Sequence, residues 1–348
     1  MLALSQKIIF ISFYLKDMNH YPIKVSVLML TYNQEQYIDE AIRSVMLQKR
    51  NFSLELVIGN DASTDRTADI CQMWKERFPQ EIVLLNHSKN LGLQQNFRQS
   101  YAKCQGEYIA ICEGDDFWCN KRKLQRQVDF LDSHNEYTTC FHRVINYYEH
   151  NGTKSLSNGK QKQTTDILDL AQSNYISNVS VLFRRGLFGE LPEWFSHVST
   201  YDYAIHLLNA QYGKIFYMHT PMAVYRQHQK AIWSKAGMDK KLDIALTIRE
   251  LLINHFTNQR EDVCKLLRKA HCNICLNLIR HYQQTNQYQQ VEKSKLRLLE
   301  YRPEWTLNDI EYHLSLKTQS PSMMKKVLSW GREKLSLLIP LPRIKGND

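Results

Sequence analysis

The sequence contains little glycine and proline, with 12 Gly and 8 Pro among its 348 residues. This composition excludes collagen-like, low-complexity and wholly disordered chains. The sequence also lacks any apolar run of the roughly 18 residues that a membrane-spanning helix requires. Hydrophobic residues make up 43% and charged residues 23% of the chain, as in ordinary globular proteins. The length suits two domains, or one large α/β domain with an extension.

The eight cysteines show no regular spacing, and a chain of this size does not depend on disulfide bonds. They are therefore typical of a reducing compartment, and we predict a cytoplasmic protein. Cys272 and Cys275 form a single C-x-x-C pair. A zinc site would need a second pair of ligands, and the sequence offers none with suitable spacing.

Positive charge is concentrated in the last third of the chain. Residues 235–348 contain 20 Lys and Arg against 12 Asp and Glu, which is +8 of the total charge of +10. A basic region suggests an anionic partner such as a lipid surface, a nucleic acid or an acidic polymer, and the alternative is a solvated helical surface. No nucleic-acid-binding motif is recognisable, so we predict no nucleic-acid partner.

From residue 24 onward, short apolar runs alternate with segments of helical periodicity. The runs predict strands at 25–30, 54–58, 82–85 and 108–112, and the segments after them predict helices at 36–48, 67–78, 94–104 and 121–131. Such repetition predicts an α/β fold, in which a mainly parallel sheet is covered by helices on both faces.

The alternation weakens after residue 136. There the sequence predicts strands at 137–148, 179–183 and 214–225, an exposed hairpin tip or loop at 149–163 and a helix at 203–212. From residue 238 onward the pattern is helical almost throughout. We therefore predict an N-terminal extension (1–21), an α/β domain (22–235) and a mostly helical, basic C-terminal region (236–348). Whether Met1 or Met18 starts the natural chain stays open.

Polar and acidic side chains follow three of the predicted strands. They are Thr31, Tyr32 and Asn33 after the first strand, Asp61 after the second, and Glu113, Asp115 and Asp116 after the fourth. The carboxyl ends of parallel strands meet at one edge of a sheet, where ligands bind in open α/β folds. Adjacent carboxylates suit Mg²⁺ or Mn²⁺, which complete their shell with substrate phosphates. An acidic turn that caps the next helix is the alternative interpretation.

No glycine-rich phosphate-binding loop is present, since neither G-x-G-x-x-G nor G-x-x-x-x-G-K-[ST] occurs. Five segments instead carry a resemblance to a known family: 25–33 (VSVLMLTYN), 60–65 (NDASTD), 90–92 (NLG), 106–110 (GEYIA) and 113–118 (EGDDFW). In order and spacing they resemble the family 2 glycosyltransferases, which have the GT-A fold. The resemblance covers roughly residues 22–230.

The resemblance implies roles for individual residues at the donor end. Thr31, Tyr32, Asn33 and Asp61 would bind the nucleoside, and Asn90, Gly92 and Arg98 would border the nucleotide-sugar. The run 113–116 would be the family's metal-binding motif, with Glu113 in place of its first Asp. Asp115 and Asp116 would then hold the metal, with Asp115 also contacting the nucleotide-sugar. In the run 225–228 (YRQH), Arg226 would contact the diphosphate and His228 would complete the metal shell.

The resemblance also implies a general base, because an acceptor hydroxyl must lose its proton as it attacks the sugar. The segment 199–205 resembles the family's acceptor helix, with Tyr201 where many members have Glu, and Asp202 would be the catalytic base. A helix N-cap is the alternative role for Asp202.

The function that the resemblance implies is an inverting glycosyltransferase dependent on Mn²⁺ or Mg²⁺. It would transfer a sugar from a nucleotide-sugar, with a UDP-sugar as the expected donor, to a saccharide or lipid-linked oligosaccharide in bacterial surface polysaccharide synthesis. Two alternatives stay open: a sugar nucleotidyltransferase, and a non-catalytic descendant that binds a sugar nucleotide or a glycan.

The C-terminal segment 323–345 alternates apolar and basic residues, with Trp330 among them. An amphipathic basic segment of this kind can lie on an anionic bilayer. Two interpretations stay open: a C-terminal helix that packs on the domain, and a peripheral contact with the inner face of the membrane.

Overall fold

The computed structural model describes residues 23–157, 159–228 and 237–316. The predicted N-terminal extension and the amphipathic segment 323–345 lie outside these residues. No helix among the described residues is both long enough and apolar enough to cross a membrane.

The first part of the chain alternates strands and helices as predicted. Its elements are β1 (Val25–Thr31), α1 (Ile38–Met46), β2 (Leu54–Asn60), α2 (Thr67–Arg77), β3 (Ile82–Asn86), α3 (Leu93–Tyr101), β4 (Tyr108–Ile111), β5 (Phe117–Trp118) and α4 (Lys123–Ser133). The two-residue strand β5 was not predicted, because a run so short has no periodicity of its own.

The second part contains β6 (Tyr137–Tyr148), β7 (Thr153–Leu156), β8 (Thr164–Thr165), α5 (Ile167–Gln172), β9 (Leu182–Arg184), α6 (Asp202–Ala210) and β10 (Lys214–Gln227). The segment 149–163, predicted as a hairpin tip or loop, belongs to a hairpin whose return strand is β7, because residues 153–156 pair with β6. One prediction needs correction here. The predicted strand 179–183 starts later, since Asn178–Ser180 is a short 3-10 helix.

All ten strands form one sheet, whose main path runs β3-β2-β1-β4-β9-β6-β10-β5. Strands β1 to β4 are parallel to one another. Strand β9 is antiparallel to both β4 and β6, so β6 points the same way as β4. Strand β10 is parallel to β6. Six strands therefore end at the same edge, and this edge collects the residues that follow them.

Both faces of the sheet are covered, as the near-continuous apolar strands predicted. Along β1, Val25, Val27 and Met29 pack against α1, α2 and α4 on one face, whereas Leu28 and Leu30 pack on the other face with α3 and α6. The alternation follows from the two-residue period of a strand. Burial on both faces fixes the register of the central strands and so fixes the edge where they end.

The C-terminal region is helical: α7 (Met238–Phe256), α8 (Glu261–Gln284), α9 (Tyr288–Tyr301) and α10 (Leu307–Ser315). Helices α7 and α8 divide their buried side chains between two apolar clusters. Ile248, Leu252, Phe256 and Leu267 belong to the same buried cluster as Phe141 of the sheet. A smaller cluster joins α8 with α9 and α10. The first two C-terminal helices thus complete one face of the α/β domain.

Candidate functional site

The acidic motif occupies the loop between β4 and β5, at the carboxyl edge of the sheet. Gly114 allows this loop to approach β1 closely, because a Cβ atom there would lie 2.4 Å from Gln34 Oε1 and 2.9 Å from Thr31 Oγ1. With the loop held so close, the carboxylates of Glu113, Asp115 and Asp116 converge. One oxygen atom from each of them lies within 4.8 Å of the others.

The three carboxylates are short of compensating positive charge. Asp116 is only 1% exposed; its Oδ1 accepts a hydrogen bond from the Arg226 amide (2.8 Å), and its Oδ2 has no partner among the described residues. Burial and the neighbouring carboxylates of Asp115 and Glu113 raise the pKa of Asp116 well above its usual range. Burial and Asp115 likewise raise the pKa of Glu113 to about 7.

Strand β10 brings Arg226 and His228 to this loop, since it ends at the same edge. His228 Nε2 lies 2.9 Å from Asp115 Oδ2, and its Nδ1 has no partner among the described residues. The Arg226 guanidinium donates to the Asp115 carbonyl (2.8 Å) and to the Glu40 carboxylate (2.6 Å). It also lies 4.9 Å above the Tyr37 ring. Arg226 therefore fixes the acidic loop through its backbone amide and its guanidinium, and it also borders the site.

This group of side chains fits a hard divalent cation. Carboxylate oxygens are the ligands that Mg²⁺ and Mn²⁺ prefer, and an imidazole nitrogen is an accepted addition. The unpartnered, buried Asp116 Oδ2 is the kind of atom that a bound cation would satisfy. The structure thus brings His228, which lies far away in sequence, to Asp115 and Asp116, so that the three predicted metal ligands meet.

The loops after β1 and β2 are tied to each other beside this group. Asn33 has a left-handed backbone (φ 53°), and its side-chain oxygen accepts a hydrogen bond from the Thr64 amide (2.7 Å). Thr31 is buried, whereas the Tyr32 side chain is 47% exposed. The exposed Tyr32 ring is free to contact a ligand, and Thr31 and Asn33 hold the loop that presents it.

Asp61 organises the next loop along this edge. Its two carboxylate oxygens accept hydrogen bonds from the amides of Leu91 (2.7 Å) and Gly92 (3.0 Å). The Asn90 side chain donates to the Asp61 carbonyl (3.3 Å). The predicted donor residues Asp61, Asn90 and Gly92 are therefore in direct contact. Arg98 lies half-buried on α3, the helix that starts after this loop.

Asp202 lies at the start of α6, where it is the first helical residue and Tyr201 occupies the N-cap position. The Asn174 side chain donates a hydrogen bond to Asp202 Oδ2 (3.2 Å). Burial raises the pKa of Asp202 and outweighs the opposing hydrogen bonds from the Tyr203 amide, the Thr200 hydroxyl and Asn174. Asp202 is near enough to the acidic motif to raise the pKa of Glu113 electrostatically. A carboxylate with a raised pKa is a stronger proton acceptor.

The sequence reasoning missed two contacts to the acidic motif. Tyr201 donates its phenol proton to Glu113 Oε1 (2.8 Å), and the Asn178 side chain donates to the same oxygen (3.3 Å) and to the Tyr201 phenol oxygen (3.0 Å). Glu113 and Tyr201 were each noticed only as a replacement for a family residue. The sequence contains both replacements, Glu113 and Tyr201, and their joint occurrence is the feature from which a contact between the two side chains could have been predicted.

A third missed contact lies on the far side of His228. There the Tyr37 phenol donates to the Glu149 carboxylate (2.8 Å), and the Tyr37 ring packs against His228 with ring centroids 4.7 Å apart. Glu149 directly follows β6, so its position at this edge follows from the direction of that strand.

Comparison with known proteins identifies a related family and fold. Residues 26–192 match the family described as "Glycosyl transferase family 2". The chain is 36% identical over 220 residues to the uncharacterized protein Rv1520 of Mycobacterium tuberculosis, an alignment that covers 62% of each chain. The match thus spans less than two thirds of that relative's length.

Two solved structures share the fold. S. aureus TarS 1-349 in complex with UDP superposes with a TM-score of 0.52 at 17% identity, covering 82% of this chain and 93% of that one. The mannosyltransferase PcManGT from Pyrobaculum calidifontis, in complex with GDP-Man and Mn²⁺, superposes with a TM-score of 0.52 at 14% identity, covering 88% and 85%. The predicted GT-A fold is confirmed.

Proposed function

The chain contains a family 2 glycosyltransferase domain, which residues 26–192 match, and from this premise we propose that it transfers a sugar from a nucleotide-sugar to a saccharide hydroxyl with inversion of the anomeric centre. The two halves of that reaction have separate residues at the carboxyl edge of the sheet. One set surrounds the acidic motif at 113–116, and the other surrounds Asp202 at the start of α6.

At the donor end, Thr31, Tyr32, Asn33 and Asp61 bind the nucleoside, with Asn90, Gly92 and Arg98 along the border of the donor. Asp115, Asp116 and His228 would hold Mn²⁺ or Mg²⁺, and Arg226 and Asp115 would face the diphosphate. A divalent cation in that position supplies charge neutralisation for the departing diphosphate. Supporting this assignment, the buried Asp116 Oδ2 is unpartnered among the described residues, and the GDP-Man complex of the mannosyltransferase also contains Mn²⁺.

At the acceptor end, Asp202 takes the proton from the attacking hydroxyl. The hydroxyl oxygen forms the new bond to the anomeric carbon as the bond to the diphosphate oxygen breaks on the opposite face. A single displacement of this kind inverts the anomeric configuration. The raised pKa of Asp202 supports the role, because it strengthens the carboxylate as a base at neutral pH.

We propose a UDP-sugar as the donor and a saccharide or lipid-linked oligosaccharide of the bacterial surface as the acceptor. The UDP complex of TarS supports UDP, whereas the GDP-Man complex of the mannosyltransferase keeps GDP among the nucleotides to be tested. The eight free cysteines support a cytoplasmic site of action.

The observation that carries this proposal is the convergence of Asp115, Asp116 and His228 from two distant parts of the chain. It is tested by calorimetric titration of UDP, dTDP and GDP, each with and without Mn²⁺. We expect Mn²⁺-dependent binding of one nucleotide to the wild type. Asp116→Asn keeps the size of the side chain but removes its charge, and we expect it to abolish that binding.

Asp129→Asn is the matched control, because Asp129 lies exposed on α4 near Asp132, which pairs with Lys24 at the opposite edge of the sheet, and we expect it to bind like the wild type. Failure of the wild type to bind any of the three nucleotides would contradict the proposal. Binding without transfer to any acceptor in a broad panel would favour the non-catalytic alternative. Release of diphosphate from a nucleoside triphosphate and a sugar phosphate would favour the nucleotidyltransferase alternative.

A further inference from the structure

Three segments that lie far apart in sequence meet at the Glu113 side chain. Glu113 belongs to the loop that carries Asp115 and Asp116, whereas its partners come from the acceptor side of the site. Tyr201 precedes α6, and Asn178 begins the short 3-10 helix before β9. The three hydrogen bonds close a triangle of Tyr201 Oη, Asn178 Nδ2 and Glu113 Oε1, with distances of 2.8, 3.0 and 3.3 Å.

Packing keeps Tyr201 in this position. Its side chain is buried (2% exposed), and its ring is stacked on Phe97 with the ring centroids 4.1 Å apart. Asp202 follows directly in the chain and is held separately by Asn174. The start of α6 is therefore fixed at two points, of which only the Tyr201 phenol reaches the metal-binding loop. A hydrogen bond to a carboxylate is about twice as strong as one between neutral groups.

Tyr203 provides a comparison for Tyr201, because its phenol contacts only backbone atoms. It lies on the same helix and is also buried, but its phenol donates to the carbonyls of Leu170 and Ala171 in α5. Its hydrogen bonds satisfy a buried hydroxyl and join two helices. The phenol of Tyr201 instead selects a side-chain carboxylate of the acidic motif, at the boundary between the donor and acceptor halves of the site.

We propose that Tyr201 is a positioning residue, which couples the metal-binding loop to the helix that carries Asp202. When the donor fixes the loop at 113–116, the Tyr201–Glu113 hydrogen bond fixes the start of α6 and sets the position of Asp202. Displacement of a reacting group by about 1 Å costs up to about a hundredfold in rate. The inference rests on the proposed function, because it presupposes that the loop at 113–116 binds the donor and that Asp202 is the base.

The test compares the wild type with Tyr201→Phe and Tyr203→Phe, using the nucleotide among UDP, dTDP and GDP that binds with Mn²⁺. Each substitution removes one buried phenol and leaves the ring. Calorimetry measures nucleotide affinity, and amide hydrogen exchange of residues 198–206 reports the order of the start of α6. Thermal unfolding checks that both variants are folded. If Tyr201→Phe fails to fold, Asn178→Ala replaces it: this change removes the hydrogen bonds that hold Tyr201 and Glu113 together from the side, and we expect it to reduce the slowing of exchange, whereas full slowing would overturn the inference.

In the wild type and in Tyr203→Phe, we expect nucleotide and Mn²⁺ to slow exchange at 198–206. In Tyr201→Phe we expect nucleotide affinity within about twofold of the wild type but no slowing of exchange, and a kcat about tenfold lower on an active acceptor. Persistence of the slowing in Tyr201→Phe would overturn the inference, as would its absence in a wild type that binds nucleotide. Absence of nucleotide binding to the wild type would overturn the proposed function and this inference with it.

Discussion

At the scale of single residues, Asp202 stands in surroundings that oppose its ionisation. Burial raises its pKa, and the three hydrogen bonds that it accepts reduce that effect without cancelling it. Desolvation makes the ionised form of such a carboxylate less stable, so the carboxylate takes up a proton more readily. Proton transfer from an acceptor hydroxyl would then be more favourable.

Asp202→Asn keeps the size of the side chain but replaces one accepting oxygen by an NH2 group and so removes the proton acceptor. We expect kcat to fall by about a hundredfold or more, since general-base catalysis typically contributes that much. Nucleotide affinity should stay unchanged, because the donor is held by other residues. Steady-state kinetics and calorimetry on the same preparation separate the two effects, and an unchanged kcat would rule out Asp202 as the base.

Asn174→Ala removes a hydrogen bond that stabilises the ionised form of Asp202. The pKa of Asp202 should then rise further. Because a general base must be ionised, activity is lost as pH falls through its pKa, so the acid limb of the kcat profile should move to higher pH. A pH–rate profile of wild type and variant measures the displacement. An acid limb that moves to lower pH, or not at all, would contradict the assignment.

At the scale of elements, the sequence predicted the strands and helices of the parallel part within a few residues, because each strand is buried on both faces and reads as an apolar run. It could not predict β5 or the 3-10 helix Asn178–Ser180, whose positions depend on tertiary pairing rather than on periodicity. The same limit applied to the site. The predicted ends of the strands were enough to place Asp61, Asp115 and Asp116 at one edge of the sheet. A side-chain contact such as that of Tyr201 with Glu113 could not be predicted, because it depends on the direction of α6.

Helices α7 and α9 are joined by Arg297, which donates to Glu250 (2.6 Å) and Asp243 (2.5 Å) on α7. Burial alone would raise the pKa of Glu250, but hydrogen bonds from His271 and Arg297 outweigh it and lower the pKa to about 2. This partly buried pair should therefore stabilise the helical region. We expect Arg297→Ala to lower the free energy of unfolding by about 2 kcal/mol, because it leaves a charged carboxylate short of partners.

The contribution of Glu250 depends on pH in a defined direction. Its pKa is lower in the folded state than the ordinary value near 4.5, so the stabilisation is complete above about pH 4.5 and is lost as pH falls towards 2. The difference in urea-unfolding free energy between wild type and Arg297→Ala should shrink over that range. Lys293→Ala, which removes an exposed cation from the same helix, should change stability by no more than about 0.5 kcal/mol at any pH. A gap that widens towards acid pH would contradict this account.

At the scale of the whole molecule, the boundary predicted at residue 235 coincides with a change of pattern but not with a change of core. Buried side chains of α7 and α8 lie in the same apolar cluster as the sheet and α6; they include Ile244, Ile248, Leu252, Phe256, Val263 and Leu267. Each such side chain contributes about 1.5–3 kcal/mol when fully buried. Together they represent about 10 kcal/mol or more, which is comparable to the entire stability of a typical domain.

A chain shortened to residues 1–236 should therefore fail to fold, whereas one shortened to residues 1–316 keeps every described contact. We expect the shorter chain to aggregate or to lack a cooperative thermal transition, and the longer one to melt within a few degrees of the full chain. Circular dichroism melts of the three chains provide the comparison. A cooperative transition in the chain ending at residue 236 would show that the α/β part is independent of α7 and α8.

The same pair of chain lengths tests the predicted membrane contact of the segment 323–345. That segment contains six basic residues interspersed with apolar ones, and each basic residue near an anionic surface contributes about 1 kcal/mol to binding. We expect the full chain to sediment with vesicles of phosphatidylglycerol and phosphatidylcholine at low salt, and to be released at high salt because surface charges are screened. The chain ending at residue 316 should stay in the supernatant with the same vesicles and retain nucleotide binding. Equal sedimentation of the two chains would assign the contact to residues 1–316, and no sedimentation of the full chain would favour packing of the segment on the domain.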